Sequence, residues 1–480
     1  MSESWVDAAE RIGIDLHVTL ARPGSRQAAL TRALREAVRE GRLAPGTRLP
    51  PYRSLAADLG IARNTVAGAY AELVAEGWLA ARQGSGTRVA ERAAPPEPVH
   101  RPAEAPRKAP GPAHDLRQGQ PDAASFPRTA WLAAARRALN AAPDEAFGPG
   151  DPQGRIELRR ALAEYLARAR GVRTTPDRIV LCSGFAHALR LLFGGTGGAG
   201  RGPLRGPLAV EAYGLGFHRD LLAQAGVRTV PLEIDEQGAR VAELASRRGL
   251  RAVLLTPAHQ FPTGGPLHAS RRTAAVDWAG TRDGLLLEDD YDGEFRYDRE
   301  PVGAVQGLDP ERVLYLGSVS KSLSPALRLG WMVLPERLVG PVLATKGQRE
   351  AWAGTLDQLT LAEFLASGLY DRHVRRMRQR YRHRRDRLLA ALAAHAPHIE
   401  VTGIAAGLHA VLRLPAGTEA GALAAAARLG LAVDGLAAFR HPAAAAPATH
   451  GLVVGYATPP ERAYGAALAA LCRALPPDRG

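Results

Sequence analysis

The pattern of apolar and polar positions divides this 480-residue chain into two regions of different character. In the first, apolar residues recur at helical spacing over about 26–41, 53–59 and 63–76, and WLAARQGSGTRVA then shows two short strand patterns around a Gly-Ser-Gly turn. In the second, apolar runs alternate with helical stretches; the runs are RIVLCSG, GPLAVEA, RAVLLTP, GLLLEDD, RVLYLGS and LGWMVLP. The first region predicts three helices and a β-hairpin. The second predicts a largely parallel sheet with helices on both faces.

A proline-rich stretch separates the two regions. Residues 93–113 (AAPPEPVHRPAEAPRKAPGPA) have little apolar periodicity, which is typical of a semi-extended linker. We therefore expect a small α+β head over 1–92, the linker over 93–113, a large α/β domain over 114–394 and a small C-terminal α+β subdomain over 395–480. An arginine-rich amphipathic stretch from about 354 leads into the last of these.

Charge, hydropathy and cysteine content restrict the partners and the cellular location that we expect for this chain. The formal net charge of +14 favours polyanionic partners, although a general bias toward arginine accounts for part of it. No run approaches the roughly 18 apolar residues of a membrane span, and the polar start MSESWVDAAER lacks a signal-peptide core. The two cysteines, Cys182 and Cys472, cannot build a disulfide framework. We expect a cytoplasmic protein with no membrane association.

Lysine is scarce in this chain, and the scarcity directs attention to one position. The three lysines are Lys108, Lys321 and Lys346, against a background rich in arginine. A lysine retained against such a bias is expected where a primary amine is required, because guanidinium cannot form a Schiff base. Lys108 lies in the proline-rich stretch and Lys346 in what reads as a helical surface pattern, so Lys321 is the candidate.

The first region has the element order of a winged helix-turn-helix, in which the recognition helix enters the major groove of DNA. Gly60 supplies the tight turn, and residues 22–92 hold twelve arginines against six acidic residues, a net +6. Four side chains stand near helix starts, where they can meet phosphates or base edges: Arg53, Arg63, Asn64 and Thr65. The alternative is a three-helix interaction module with a solvated arginine face.

The segment around Lys321 has the composition of a pyridoxal 5′-phosphate site. GSVSKSLSPALRLG begins at the end of the apolar run VLYL, where open α/β sheets place their ligands. Lys321 offers an amine for the aldehyde, while Ser318, Ser320 and Arg328 offer donors and a cation for the phosphate. The alternatives are a nucleotide phosphate loop or a surface turn, and the absence of GxxxxGK[ST] weakens the first.

Two further segments bring groups to the same edge of the sheet. In GLLLEDDYDGEF, strand alternation sends Asp289 to the opposite face from Glu288 and Asp290, and a carboxylate there can pair with the pyridine nitrogen while Tyr291 bonds the ring oxygen. In LCSGFAHALRLL, Gly184 precedes a helix whose N-terminal N–H groups can bind the phosphate. The competing interpretation of the acidic segment is a metal site of Asp289, Asp290 and Asp292, disfavoured because no histidine spacing accompanies it.

These motifs are similar to those of known families. GRLAPGTRLPPYRSLAADLGIARNTVAGAYAELVAEGWLAARQGSGTRVA closely resembles the GntR family of bacterial repressors, apart from Pro51-Tyr52 where small hydroxyl residues are usual. The C-terminal region resembles fold-type I aminotransferases, and the whole chain resembles the MocR/GabR family of regulators, through segments such as FPRTAW, GDPQGRIELRRALAEYLARARGV and TPAHQFPTG. The expected fold is thus a winged helix-turn-helix joined to a fold-type I PLP-dependent transferase-like domain.

The resemblance implies roles for individual residues and a mode of assembly. On DNA it implies operator contacts by Arg53, Arg63, Asn64, Thr65 and Gly86. At the cofactor it implies Lys321 as the Schiff-base lysine, with binding residues Asp289, Tyr291, Ser318, Ser320, Arg328, Gly184, Phe185 and His259. It also implies a head-to-tail homodimer.

The chain departs from that family where a substrate would bind. Leu215 and Phe217 stand where an aromatic residue and a carboxylate-binding arginine are usual, Val453 replaces a second such arginine, and Pro149 replaces a tyrosine before GDPxG. The asparagine of true aminotransferases is also absent from TPAHQFPTG, where His259 and Gln260 stand nearby. Each missing arginine removes charge-assisted hydrogen bonds worth roughly 1.5–3 kcal/mol, so ordinary amino acids should bind poorly.

Substitutes for the missing groups are available nearby. Tyr213 or His218 could take the aromatic place after a shift, and Arg219 or Arg440 could supply a displaced clamp. We expect a regulator that binds operator DNA and pyridoxal phosphate and responds to the cofactor itself or to an amine or amino acid. The alternatives are a working aminotransferase with an accessory head and a regulator whose cofactor site has decayed to a scaffold.

Overall fold

The computed structural model describes residues 25–82, 86–91, 112–194, 202–297, 302–347, 354–478. The chain forms two compact units, residues 1–110 and 111–480, each described by itself. Most of the predicted linker, including Lys108, lies outside the described residues, as does the tip of the predicted hairpin at 83–85.

The first unit has the predicted winged helix-turn-helix order. Its helices are α1 (Arg26–Arg39), α2 (Tyr52–Asp58) and α3 (Arg63–Ala75), followed by the antiparallel strands β1 (Leu79–Arg82) and β2 (Gly86–Val89). Leu30 and Leu34 of α1 pack against Val66 and Tyr70 of α3 in one buried core. Gly60 takes φ 59° between α2 and α3, a left-handed conformation that favours glycine, so the turn lies where the sequence predicts it.

The second unit is built on a seven-stranded sheet in the order β4-β12-β11-β10-β9-β5-β6. Its strands are β4 (Ile179–Cys182), β5 (Leu208–Glu211), β6 (Thr229–Leu232), β9 (Ala252–Leu255), β10 (Leu285–Asp289), β11 (Val313–Ser318) and β12 (Gly330–Val333). β12 runs antiparallel to both neighbours, and the other pairs are parallel. Every residue of β4, β5 and β12 is buried, as expected for strands covered on both faces.

Helices and short strands surround this sheet. The helices are α4 (Arg128–Ala141), α5 (Ile156–Arg170), α6 (Phe185–Phe193), α7 (Gly216–Gln224), α8 (Ala269–Thr281), α9 (Glu336–Lys346) and α10 (Thr355–Ala366). Three short strands complete this part: β3 (His114–Asp115), β7 (Ile234–Asp235) and β8 (Gly238–Ala239).

The C-terminal part forms a second, smaller core. The 27-residue helix α11 (Leu369–His395) leads into the sheet β13-β14-β17-β16 and the helices α12 (Glu419–Arg428) and α13 (Glu461–Ala474). The strands are β13 (Glu400–Thr402), β14 (His409–Arg413), β15 (Leu431–Ala432), β16 (Asp434–Gly435) and β17 (Gly451–Gly455). β3 pairs with β15, and Leu116, Met377 and Tyr381 also lie in this core. The division at residue 395 therefore stays a prediction.

Two sequence expectations concern the surface. Lys346 was expected in an exposed helical pattern, and this is wrong: it is buried, at a spacing of four and eight residues from the buried Val342 and Leu338, so it lies on the inner face of α9. Its Nζ donates to the carbonyl of Leu181 at 2.8 Å. Among the helices within the described ranges, none has the length and apolarity that crossing a membrane requires.

Candidate functional site

A cavity of about 460 Å³ opens at the carboxyl ends of the parallel strands. Its wall brings together segments that are far apart in sequence, including the ends of β5, β10 and β11 and the N-terminus of α6. Of the residues predicted to bind the cofactor, the wall contains Lys321, Asp289, Tyr291, Ser318, Ser320, Arg328, Gly184 and Phe185. Convergent polar groups in such a cavity are the usual form of a small-molecule site.

Lys321 lies in the turn that follows β11. Burial lowers the pKa of its ammonium below the ordinary value of 10.5, and the carboxylates of Asp292 and Asp289 oppose that shift. A lowered pKa increases the fraction of neutral amine, the form that attacks a carbonyl. The Nζ atom donates a hydrogen bond to the carbonyl oxygen of Gly119.

Glu288 and Asp289, the last two residues of β10, have different surroundings, as strand alternation predicts. Asp289 lies on the cavity wall, and burial together with the charge of Asp290 raises its pKa well above the ordinary range. Glu288 accepts bonds from the backbone of Val305 and Gln306, at 3.0 and 2.9 Å. Because burial favours the neutral carboxyl of Asp289, a cationic ring nitrogen beside it would stabilise the ionised form.

The geometry does not favour the metal interpretation of this segment. Asp290 forms a buried two-bond pair with Arg170, at 2.6 and 3.1 Å, and also accepts from Tyr315. Asp292 instead contacts Nδ1 of His259 at 2.8 Å. Two of the three carboxylates that a metal would share, Asp290 and Asp292, thus have separate protein partners.

His259 is the one predicted cofactor residue that does not line the cavity, and its role there stays a prediction. It is absent from the cavity wall and lies behind Tyr291, whose hydroxyl is 2.9 Å from its Nδ1 atom. His259 is buried and also contacts Asp292. These contacts join His259 to the hydroxyl of Tyr291 and to the carboxylate of Asp292.

Near Gly184 and Arg328, the cavity offers the kinds of group that bind phosphate. Gly184 precedes α6 with φ 109°, and a Cβ on neighbouring Gly330 would lie 2.8 Å from the Gly184 Cα, so the turn requires small residues. Arg328 adopts φ 52°, an uncommon conformation for a side-chain-bearing residue, and its guanidinium donates to the hydroxyl of Ser183 at 3.4 Å. Hydroxyls, helix N–H groups and a cation therefore converge at one place.

Both candidates for the aromatic place, His218 and Tyr213, lie on the cavity wall. His218 packs against Phe185 with 4.6 Å between ring centroids, while Leu215 is half-buried and Phe217 is 57% exposed. Burial and the charge of Lys321 lower the pKa of His218 to about 4, so the imidazole is neutral at physiological pH. Tyr213 lies on the wall too, with its hydroxyl accepting from the backbone of Thr449 at 3.0 Å.

Both candidates for a displaced carboxylate clamp donate hydrogen bonds to backbone carbonyls. Arg219 lies on the wall, but its guanidinium donates to the carbonyls of Gly214, Phe439 and Arg440. Arg440 donates to the carbonyls of Ala444 and Ala446.

Apolar packing occupies the second arginine position. Val453 is fully buried in a cluster with Tyr213, Phe261 and Phe439. Pro149 is exposed.

Sequence reasoning missed several residues of the wall. These are Gln118, Gly119, Gln120, Glu211, Thr256, Phe261 and His409. Only their positions along the chain could have indicated these wall residues. Glu211 is the last residue of β5, and Phe261 lies in the segment TPAHQFPTG, in which the missing asparagine was sought. Burial raises the pKa of Glu211 to about 7 and lowers that of His409 to about 3.

The predicted DNA-contacting residues lie at accessible positions of the first unit. Arg63 and Asn64 begin α3, Arg53 lies in the first turn of α2, and all three are exposed, while Thr65 is half-buried. Gly86 begins β2 with φ 84°, and a Cβ there would lie 3.2 Å from Nε of Arg48. The start of α3 and Gly86 are therefore accessible to a ligand.

Comparison with known proteins agrees with this two-part architecture. The model of the family "Bacterial regulatory proteins, gntR family" matches residues 26–89, and that of "Aminotransferase class I and II" matches residues 113–440. The solved multiple substrate aminotransferase from Thermococcus profundus has a TM-score of 0.67 at 24% identity, covering 77% of this chain and 92% of that one. This last likeness shows the fold.

Curated relatives extend over both parts. The HTH-type pyridoxine biosynthesis transcriptional regulator PdxR of Corynebacterium glutamicum is 35% identical, over 81% of this chain and 83% of its own length. The probable rhizopine catabolism regulatory protein MocR of Rhizobium meliloti is 32% identical, over 81% and 82%. The chain therefore belongs to the MocR/PdxR family of HTH-type transcriptional regulators, in which a GntR-type DNA-binding head is joined to an aminotransferase class I and II domain.

Proposed function

We propose that this regulator binds pyridoxal 5′-phosphate on Lys321 and that occupancy of the cavity controls its binding to operator DNA. The observation that supports the proposal is that Lys321, Asp289 and Tyr291 line the same cavity as Ser183 and Arg328, whose hydroxyl and guanidinium suit a phosphate. When bound, the cofactor supplies an electrophilic carbon and an electron-withdrawing ring.

The protein groups have distinct roles in this proposal. Lys321 provides the amine, Asp289 the carboxylate for the ring nitrogen and Tyr291 the phenol for the ring oxygen, with His259 orienting the phenol. The phosphate contacts come from Ser318, Ser320, Arg328 and the N-terminus of α6 at Gly184 and Phe185. We assign the packing on the ring to His218, which lies on the cavity wall.

The same geometry disfavours the alternative of a working aminotransferase. Transamination requires a substrate held in a reactive orientation, and the usual clamp is an arginine on the carboxylate. Here Arg219 donates to three backbone carbonyls and Val453 is part of an apolar cluster. The effector is therefore the cofactor itself or an amine bound without a carboxylate clamp.

Assembly and location complete the proposal. We infer a head-to-tail homodimer, because two linked heads raise the effective concentration at paired half-sites. The cytoplasmic location stays a prediction.

The experiment measures operator affinity of the full chain with and without pyridoxal phosphate, and then follows the visible spectrum of the loaded protein with a panel of α- and ω-amino acids. We expect affinity to change with cofactor and the spectrum to persist with common amino acids. Operator binding indifferent to cofactor refutes the sensing role, and rapid conversion of the cofactor to its amine form establishes the aminotransferase instead.

A further inference from the structure

Two acceptor side chains on the cavity wall have no role in the proposed cofactor contacts. Glu211 ends β5 and His409 begins β14, and both line the cavity. They are buried, with 8% and 5% of their surfaces exposed. Buried polar groups in proteins almost always have hydrogen-bond partners, so an acceptor atom without one beside a cavity indicates a place for a ligand.

The carboxyl group of Glu211 uses one of its two oxygens within the protein. Oε2 accepts hydrogen bonds from the backbone N–H and the hydroxyl of Thr256 and from Nε2 of Gln260. Within the described residues, Oε1 accepts none. The buried polar atoms that lack a partner in this part of the chain belong to other side chains, so Oε1 keeps surface that is open to the cavity.

The imidazole of His409 has an acceptor atom of the same kind. Its Nε2 lies 3.0 Å from the carbonyl oxygen of Pro262, which can only accept, so Nε2 carries the proton. Burial lowers the pKa of this ring to about 3, and the neutral ring leaves Nδ1 as an acceptor. Nδ1 makes no hydrogen bond with the described residues and is not one of their buried unpartnered atoms, so it too keeps surface that is open to the cavity.

Phe261 connects the two acceptors. Its backbone N–H donates at 3.1 Å to the Thr256 hydroxyl that bonds Glu211. Its ring lies on the same wall, with 5.3 Å between its centroid and that of His409. A carboxylate, an aromatic ring and a neutral imidazole acceptor suit an ammonium group on a short apolar body.

The strong cations of the described wall are already engaged. They are Lys321, Arg328 and Arg219. The first two are assigned to the cofactor, and Arg219 donates to three backbone carbonyls. A ligand carboxylate beside Glu211 would therefore meet a like charge without a counter-ion.

Sheet order keeps Glu211 apart from the proposed partner of the ring nitrogen. Asp289 ends β10 and Glu211 ends β5, and β9 lies between these strands. At about 4.8 Å between neighbouring strands, the two backbones are about 10 Å apart along the sheet edge. Glu211 thus stays available when Asp289 binds the ring.

We propose that Glu211 and His409 form a subsite for the protonated amine of an effector that lacks a carboxylate. Oε1 of Glu211 accepts from the ammonium group and supplies the opposite charge, and Nδ1 of His409 accepts a second hydrogen bond. The inference rests on the proposed function, whose effector it assigns to the class of primary amines.

The experiment measures the binding of three small molecules to the full chain by titration calorimetry. Butylamine is the probe, butanol is of similar size without the charge, and aminobutanoate adds a carboxylate. Each is titrated into the cofactor-free chain and into the loaded chain after borohydride reduction, which fixes the cofactor to Lys321.

Two variants test the two acceptors. E211Q keeps the size of the side chain and removes its charge. H409Q keeps an N–H donor for the carbonyl of Pro262 and removes the imidazole acceptor. The matched controls are E164Q and H395Q, which replace exposed residues of α5 and α11.

The unmodified chain should bind butylamine at least about tenfold more tightly than butanol or aminobutanoate. E211Q should lose about tenfold or more in affinity for butylamine, because a charge-assisted hydrogen bond becomes a neutral one, and its affinity for butanol should not change. H409Q should lose about threefold or more. Both controls should match the unmodified chain.

Several results overturn the proposal. One is an unmodified chain that binds butanol or aminobutanoate as tightly as butylamine. Another is an affinity for butylamine that E211Q leaves unchanged or that E164Q lowers equally. If E211Q unfolds at lower denaturant concentration than the unmodified chain, H409Q decides in its place, and an unchanged affinity for butylamine in H409Q overturns the subsite.

The same titrations distinguish this inference from the proposed function. A chain that binds butylamine as expected but takes up no pyridoxal phosphate supports the subsite and refutes the cofactor proposal. A chain that takes up the cofactor and does not distinguish the three small molecules refutes the subsite alone.

Discussion

The Nζ atom of Lys321 donates to the main-chain carbonyl of Gly119, joining the turn after β11 to the segment that enters the second unit. Gly119 has φ 92°, and a Cβ at this position would lie 3.2 Å from the Lys321 amine. The positive φ favours glycine, and a Cβ there would crowd the amine. The amine is held by one carbonyl oxygen, with which the aldehyde of the proposed cofactor would compete.

Replacement of Lys321 should abolish the covalent adduct. Lys321→Ala removes the amine on the cavity wall, so borohydride treatment of the cofactor-loaded protein should fix no label, measured by mass spectrometry of peptides. Lys346→Arg is the matched control, because it replaces the other described lysine while keeping the charge. An adduct that survives in Lys321→Ala and disappears in Lys346→Arg shows that the lysine was wrongly assigned.

Incorporation of the cofactor should depend on pH in one direction. The neutral amine is the reactive form, so the rate should rise with pH through the pKa of Lys321 and then level off. Because burial lowers that pKa, the midpoint should lie below 10.5, as followed by stopped-flow absorbance. A midpoint at or above the ordinary value contradicts the environment described for this residue.

Asp289→Asn should weaken cofactor binding while leaving the fold intact. The amide keeps the shape but cannot carry the negative charge that pairs with a ring cation, a loss of about 1.5–3 kcal/mol or roughly 10- to 100-fold in Kd. Asp277→Asn, at an exposed position of α8, should leave the Kd unchanged in the same spectroscopic titration. If Asp289→Asn and Asp277→Asn bind the cofactor with equal Kd values, Asp289 does not contribute to cofactor binding.

Arg63→Ala should weaken operator binding by about 1–3 kcal/mol if Arg63 reads a base. If Arg63 instead contacts a phosphate, the variant should lose a similar amount of binding free energy on unrelated DNA. The control is Arg32→Ala, which removes another exposed arginine of the same unit. The measurement is fluorescence anisotropy at fixed salt. If the double variant Arg53→Ala/Arg63→Ala binds the operator as tightly as the unmodified chain, the predicted contacts of the helix-turn-helix with DNA are refuted.

The buried pair of Arg170 and Asp290 should contribute strongly to stability. Arg170→Met leaves the Asp290 carboxylate buried with Tyr315 as its remaining neutral donor, so the free energy of unfolding should fall by about 3–5 kcal/mol. Arg168→Met, two residues away, breaks a pair with Asp371 whose arginine is 61% exposed, and should cost about 0–1 kcal/mol. Denaturant unfolding measures the free energy of unfolding of both variants. Similar decreases in Arg170→Met and Arg168→Met would contradict the difference in burial between the two pairs.

Local patterns determined much of this protein from the sequence alone. Strand alternation placed Asp289 on the opposite face from Glu288, and a glycine at position 60 gave the turn between α2 and α3. The scarcity of lysine singled out Lys321, which lies on the cavity wall. These features depend on periodicity and on backbone conformation over a few residues, which a sequence displays directly.

Tertiary structure decided the features that depend on contacts between distant segments. The Gly119 carbonyl meets Lys321 across 202 residues, and His259 lies behind Tyr291 because their two strands are neighbours in the sheet. The charge of Lys346 suggested a surface position, but the residue lies on the apolar face of α9, where the carbonyl of Leu181 accepts a hydrogen bond from its Nζ. A buried polar group is stabilised by the partner it finds, and that partner is known only once the chain has folded.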